Sequence, residues 1–204
     1  MVLPDRALKT VIQDWDGAVG ANVNPASVDL TLGEEAVIVD WPWWQRVLYV
    51  LTVGHLGRGR VRRLKLPPEG LTLRPGQMAL LHSREYVRVP EWAAGILLLK
   101  SSRGREGYDH AFAGWFDPGF EGQAVFEVYS PARPLRLIPG QRFAQLVLLY
   151  MAAPPERPYR GNYQGQRGAV GSVWEMEQNK GGGHDKGRTE IPGEGPRSDK
   201  EEAS

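Results

Sequence analysis

The 204-residue chain has no cysteine. Disulfides, thiolate nucleophiles and cysteine-ligated zinc are excluded together. Histidine is scarce: the four are His55, His82, His110 and His184, and no two stand at a helical or hairpin spacing suited to sharing a metal ion. A metal held by protein side chains is therefore not expected. Long hydrophobic runs are also missing, with no stretch near the roughly 18 apolar residues of a membrane span. The segment Met1-Val-Leu-Pro-Asp-Arg6 lacks the apolar core of a secretion signal. A cytoplasmic protein is the expectation. A charge excess of one sign is absent too: the formal net charge is +1. The part read as folded carries no long basic run, so a nucleic-acid polymer has little support as a partner.

What is present fits one globular domain with a real core. Hydrophobic residues make up 41% of the chain and charged residues 24%, enough for a single core plus some extra chain. Leu8, Val11 and Ile12 recur at helical spacing after Asp5, which predicts one short amphipathic helix over Asp5 to Asp14 with Asp5 as its cap. From Ser27 onward short apolar or alternating runs predict strands: Val28 to Leu32, Ala36 to Val39, Arg46 to Val53, Gly70 to Leu73, Gln77 to Leu81 and Ile96 to Leu99. Gly, Pro and Asn punctuate them, as in a closed or double-sheet all-β fold. Leu71-Thr-Leu-Arg-Pro-Gly-Gln77 is echoed by Leu135-Arg-Leu-Ile-Pro-Gly-Gln141, which predicts two related hairpins in one jelly-roll-like sheet pair. The aromatic insert Trp41-Pro-Trp-Trp-Gln45 serves either core packing or an interface. After about residue 175 large apolar side chains almost disappear. Residues 176–204 read as a flexible polar tail beside a domain over 1–175.

One stretch concentrates chemistry. Lys100, Ser101, Ser102, Arg103, Gly104 and Arg105 crowd hydroxyls, backbone N–H groups and guanidinium forks into what reads as a short loop. That set suits phosphate oxygens, or else forms a solvated basic turn. Asp117-Pro118-Gly119 favours a tight reversal, so Asp117 is either functional or simply a turn former. Glu127 stands between Val125-Phe126 and Val128-Tyr129 in an apolar strand. If it is buried, it must be paired or have its pKa raised, which is what a general acid/base near neutral pH requires. If it faces water, neither follows. Arg157 to Gly168 is rich in donors, Tyr and Gly, and reads either as an ordinary surface loop or as a segment that closes over a ligand.

These motifs, taken in order, resemble the dCTP deaminase family of the dUTPase-like superfamily. They are Asn24-Pro-Ala-Ser-Val-Asp29 with Leu32-Gly33, Leu73-Arg-Pro-Gly76, Lys100-Ser-Ser-x-x-Arg105, Ala113-Gly-Trp-Phe-Asp-Pro-Gly-Phe-Glu-Gly122, Phe126-Glu127, Pro139-Gly140 and Tyr163-Gln-Gly-Gln-Arg-Gly168. The likeness runs from about Leu8 to Val173. It implies a mainly β, jelly-roll or β-barrel subunit with a short N-terminal helix, assembling as a homotrimer with sites between subunits. It also implies deamination of dCTP to dUTP without zinc, Mg²⁺ being carried on the triphosphate. The His-x-Glu and Pro-Cys-x-x-Cys of zinc nucleobase deaminases are indeed missing from this sequence.

The resemblance assigns roles residue by residue. Glu127 matches the general acid/base, Ser101 and the Ala113 backbone carbonyl match the groups that hold the attacking water, and Arg105 matches an arginine beside the carboxylate. Lys100, Ser102, Arg103 and Gly104 fall among the phosphate contacts. Asp117 lies at the deoxyribose, where related dUTPases orient the water that attacks phosphorus. Val125, Phe126, Tyr159, Asn162 and Gln166 complete the nucleotide-binding set. Three departures stand out: one residue fewer between Arg105 and Ala113, Phe112 where a threonine linked with dTTP feedback control is common, and Asn162 where a phosphate-binding lysine is usual. The motifs from Ala113 to Asp117 and Tyr163 to Gly168 look closer to relatives that continue to dUMP and pyrophosphate. A plain dUTP diphosphatase and a non-catalytic nucleotide-binding trimer are the alternatives.

Overall fold

The computed structural model describes residues 1–40, 60–110, 113–130 and 133–172. All of these except residue 172 lie in the compact unit Met1–Gly171. The predicted strand over Arg46 to Val53, the tryptophans of the aromatic insert, Phe112 and the polar tail lie outside the described residues.

The chain opens with α1 (Asp5–Val11), which continues as a 3-10 turn over Ile12–Asp14. Pro4, not Asp5, is its N-cap: the Pro4 carbonyl accepts the N–H groups of Ala7 and Leu8, and Asp5 sits in the first turn paired with Lys9 at 3.2 Å. Proline suits that position because its fixed φ costs the helix start nothing and the missing N–H would go unused. Leu8 and Ile12 bury the inner face.

Eleven strands follow among the described residues: β1 (Val23–Asn24), β2 (Ser27–Asp40), β3 (Arg60–Lys65), β4 (Leu71–Leu73), β5 (Met78–Arg88), β6 (Ala93–Leu99), β7 (Asp109–His110), β8 (Trp115–Phe116), β9 (Glu121–Tyr129), β10 (Leu135–Leu137) and β11 (Arg142–Tyr150). Nine form a curled sheet whose main path is β7-β9-β5-β2-β11-β6-β8, with β1 and β3 attached to β2. The pairings given for all of them are antiparallel. The mainly β architecture with a short N-terminal helix is as the sequence predicts.

β2 is the hinge of the curl. Its first half pairs with β11 and its second half with β5 and β3, across a register shift between Leu32 and Ala36. The sequence suggests two strands broken at Gly33-Glu34-Glu35, because the hydrophobic alternation fails there. The strand instead runs through, and Gly33 passes directly under the buried His82 ring. That ring is clamped: Nδ1 donates to the Ser83 carbonyl at 2.8 Å and Nε2 accepts the Glu35 N–H at 3.2 Å.

The two echoed segments do not form hairpins, because the strands on either side of each Pro-Gly turn belong to different sheets. β4 and β10 pair with each other, Leu71 opposite Leu137 and Leu73 opposite Leu135, as a separate two-stranded sheet. Each then reverses through its Pro-Gly, with Gly76 at φ 77° and Gly140 at φ 78°, into β5 and β11 respectively. Positive φ at both turns is the reason for glycine in both copies. The core beneath holds Phe126, Phe143, Leu30, Leu81, Leu146 and Leu148, all with no more than a trace of exposed surface.

Candidate active site

β9 alternates cleanly. Gly122, Ala124, Phe126 and Val128 point into the core, while Gln123, Val125, Glu127 and Tyr129 form a half-buried face. The apolar run could not assign Glu127 to a face, because its flanks are hydrophobic on both sides. It belongs to the half-buried one, opposite Leu80 of β5 and flanked by Val125 and Tyr129. The Ala113 backbone N–H lies near enough to the Glu127 carboxyl to favour its ionised form. Glu127 Oε2 is buried and has no protein partner. Desolvation by this surrounding raises the Glu127 pKa above the ordinary carboxylate value, and the nearby Ala113 N–H offsets only part of that. A desolvated carboxyl with a buried oxygen that no protein group engages is built to exchange a proton with something that enters the site.

The basic segment forms one turn of helix, α2 (Ser101–Arg105), and not a loop. Its carbonyl at Lys100 accepts the N–H groups of Arg103 and Gly104 at 2.8 and 3.0 Å. Five residues are too few to show helical periodicity, and no apolar side chain marks a face. Ser101, Ser102, Gly104 and Arg105 are exposed, and Arg105 has no ion pair among the described residues. Two of the cations are already engaged. Lys100 Nζ lies 2.6 Å from Asp29, and Arg103 pairs with Glu106 at 2.7 Å while its guanidinium stands over the Tyr108 ring. The shortened stretch after α2 is pinned by Tyr108, buried against Phe143 with its hydroxyl on the Arg136 carbonyl, and by Arg133 on the Glu106 carbonyl. His110, on β7, lies beside Phe126, and burial lowers its pKa below the ordinary value.

Asp117 is exposed at the turn between β8 and β9, where Trp115 Nε1 donates to its Oδ1 at 2.9 Å. Trp115 thereby orients the carboxylate, a contact the i, i+2 spacing alone does not reveal. Phe126 is fully buried against Phe143, so only its backbone is available at the strand surface.

The segment Tyr159 to Gly168 is stitched to the start of β9. Gln164 bridges it, donating to the Gly119 carbonyl and accepting the Glu121 N–H, while Gln166 donates to the Gln123 carbonyl. The backbone adds Gly165 N–H to Glu121, Gln123 N–H to Gln166 and Tyr159 N–H to Pro118. The Tyr159 ring packs on Phe120, and Asn162 is exposed at the tip. The structure thus brings Ala113 to Glu127 and Gln166 to the strand that carries Glu127. Gln166 stands out in the sequence, but its partner does not, and neither Gln164 nor Gln123, whose Oε1 accepts the Gly168 N–H, can be picked out there, since their partners lie 43 to 45 residues away.

The family model for dCTP deaminase-like proteins matches residues 2–151. The chain belongs to the dCTP deaminase-like family. Its curated relatives include the "dCTP deaminase, dUMP-forming" of Persephonella marina, 35% identical over 178 residues, 84% of this chain and 96% of that one. The protein of the same description from Aquifex aeolicus is 34% identical over 183 residues, 87% of this chain and 97% of that one. Among solved structures, the 2'-deoxycytidine 5'-triphosphate deaminase from Agrobacterium tumefaciens superposes with a TM-score of 0.55 at 20% identity, a likeness of fold. It covers 72% of this chain, which spans about half (47%) of that longer one. This member of the dCTP deaminase-like family presents, among its described residues, no cluster of three His, Asp or Glu able to hold a metal ion and no helix long and apolar enough to cross a membrane.

Proposed function

We propose that the chain hydrolyses dCTP to dUMP, ammonia and pyrophosphate. The observation that carries this reading is Glu127: half-buried, with a raised pKa, close to the Ala113 backbone and with Oε2 buried without a protein partner. Relatives at 34–35% identity over most of the chain, each described as dUMP-forming, support the full sequence of steps.

In this reading Glu127 takes a proton from a water that attacks C4 of cytosine, and the Ser101 hydroxyl and the Ala113 carbonyl hold that water. The proton passes to N3. The proton left on the C4 hydroxyl is then taken by Glu127 and delivered to the amino nitrogen, the bond from C4 to that nitrogen breaks, and ammonia leaves with a uracil carbonyl behind it. Arg105 balances charge near the carboxylate. dCTP enters as its Mg²⁺ complex, the ion travelling on the triphosphate as part of the substrate. Ser102 and the backbone beside it meet the phosphates, with Arg160 or Arg167 supplying the cation that Asn162 lacks. Tyr159 and Gln166 border the nucleotide.

Three subunits complete the sites. Supporting this is an apolar row on the outward side of β11, β6 and β8, where Val147, Ile96 and Trp115 stand side by side and Leu98 and Trp115 are 46% and 60% exposed. Patches of this kind on a sheet mark interfaces. Action on free deoxynucleotides fits a cytoplasmic enzyme that supplies dTTP synthesis, with dTTP as its feedback inhibitor.

Asp117 separates the two chemical steps. Held by Trp115 and exposed, it orients the second water, which attacks phosphorus. Asp117→Asn keeps the Trp115 contact possible but weakens the acceptor. The expected result is that ammonia release persists while pyrophosphate formation falls about 10²-fold or more, so dUTP accumulates. Equal loss of ammonia and pyrophosphate would mean that Asp117 serves binding alone. Resolving both products from one time course decides it.

A further inference from the structure

Asp29 is buried, with 1% of its side chain exposed, yet it sits among cations. Its Oδ1 accepts Lys100 Nζ at 2.6 Å and Asn24 Nδ2 at 2.7 Å, and its Oδ2 lies 3.5 Å from Arg142 Nη1. A buried carboxylate persists only when it is paired and hydrogen-bonded in this way. Lys100 is the closer and better shielded cation, its side chain 22% exposed against 62% for Arg142.

Lys100 is also the pivot between β6 and α2. Its N–H donates to the Phe143 carbonyl at 3.1 Å, and its own carbonyl caps α2 through Arg103 and Gly104. Through that one residue the floor of the sheet is tied to the turn that presents Ser101 and Arg105. The tie spans 71 positions of sequence.

We infer that Asp29 is a positioning residue: by gripping the Lys100 ammonium it fixes the start of α2, and with it Ser101 and Arg105, in the place the chemistry requires. The catalytic consequence rests on the deamination proposed above. The structural one does not. The assignment also gives Lys100 a structural duty in place of a free cation reaching for phosphate.

Two variants test it from opposite sides. Asp29→Asn keeps the shape and removes the charge, while Lys100→Met removes the cation and leaves Asp29 with Asn24 and Arg142. In each, kcat and KM for dCTP with Mg²⁺ are measured beside amide hydrogen exchange of α2, with the β9 amides as an internal reference. The expected result is unchanged protection in β9, protection at Arg103 and Gly104 reduced about fivefold or more, and kcat reduced about tenfold to a hundredfold with KM nearly unchanged, as misplacement of a catalytic group produces. Unchanged α2 protection, or loosened α2 with unchanged kcat, overturns the inference. So does a severalfold fall in KM for Asp29→Asn, or a severalfold rise for Lys100→Met, with kcat retained, because Lys100 would then be a phosphate ligand that Asp29 merely withholds. If Asp29→Asn does not fold, Lys100→Met decides. If the wild-type protein releases no ammonia, the deamination proposal fails by itself, and the exchange data still decide whether Asp29 holds the turn.

Discussion

Glu127→Gln is expected to abolish ammonia release from dCTP while leaving the protein folded. The substitution preserves shape and the half-buried environment but removes the group that can take a proton. General acid/base catalysis is worth about 10² to 10⁴ in rate. With Glu127 handling the proton at both the water and N3, the loss should lie at the upper end. Stability should move the other way. The Glu127 pKa is raised in the fold, chiefly by desolvation, so folding favours the protonated carboxyl. Its contribution is fully present below the unfolded pKa and is lost as pH rises through the folded one. Ionised Glu127 therefore costs stability at neutral pH, and Glu127→Gln should melt higher than wild type at pH 8, with the difference shrinking toward pH 4. The same sign governs activity, because only the ionised form can accept the proton. Wild-type kcat/KM should climb with pH through a raised carboxyl pKa. Retained turnover in the variant would remove Glu127 from the role, and a variant less stable than wild type at pH 8 would contradict the desolvated carboxyl.

The largest effect on folding is expected at Gly33. A Cβ there would stand 2.1 Å from His82 Cε1 and within 2.5 Å of both ring nitrogens. The ring cannot step aside without giving up its bonds to Ser83 and Glu35, both made in a buried setting. Overpacking costs about 1–3 kcal/mol and a lost buried hydrogen bond about 1–3 kcal/mol, so Gly33→Ala should destabilise by roughly 2–6 kcal/mol. Against total stabilities of about 5–15 kcal/mol that is close to unfolding. The site is where β2 passes from β11 to β5, so the damage should reach both halves of the curled sheet. Denaturant unfolding measures it, and a double-mutant cycle identifies the cause. In a His82→Ala background the added methyl should cost far less. An equal cost in both backgrounds would place the strain elsewhere.

The same two positions show what the sequence could and could not say. Val125 to Tyr129 reads as a strand from its β-branched and aromatic content, and Glu127 stands out within it. Which face it takes depends on the register with Leu80, 47 residues earlier in the chain. Gly33 marks a break in the hydrophobic alternation, which local reasoning takes for the end of a strand. Only the His82 ring, brought over from β5, explains why the strand continues without a side chain there. The echo of Leu71 to Gln77 in Leu135 to Gln141 was legible as repeated strand and turn, but not that the two strands pair with each other. The helix at Ser101–Arg105 escaped because one turn has no period to detect. The residues that resemble the family's site were legible as types in order. Their engagement was not, since the partners of Lys100, Gln164 and Gln166 are separated from them by 71, 45 and 43 positions.

The most direct test is to incubate the protein with dCTP and Mg²⁺ and resolve dUTP, dUMP, ammonia and pyrophosphate over time. Ammonia, dUMP and pyrophosphate in equal amounts are the predicted result. Ammonia with dUTP as the end product would leave a deaminase without its second step, and no ammonia at all would contradict the account, leaving a dUTP diphosphatase or a nucleotide-binding trimer in its place.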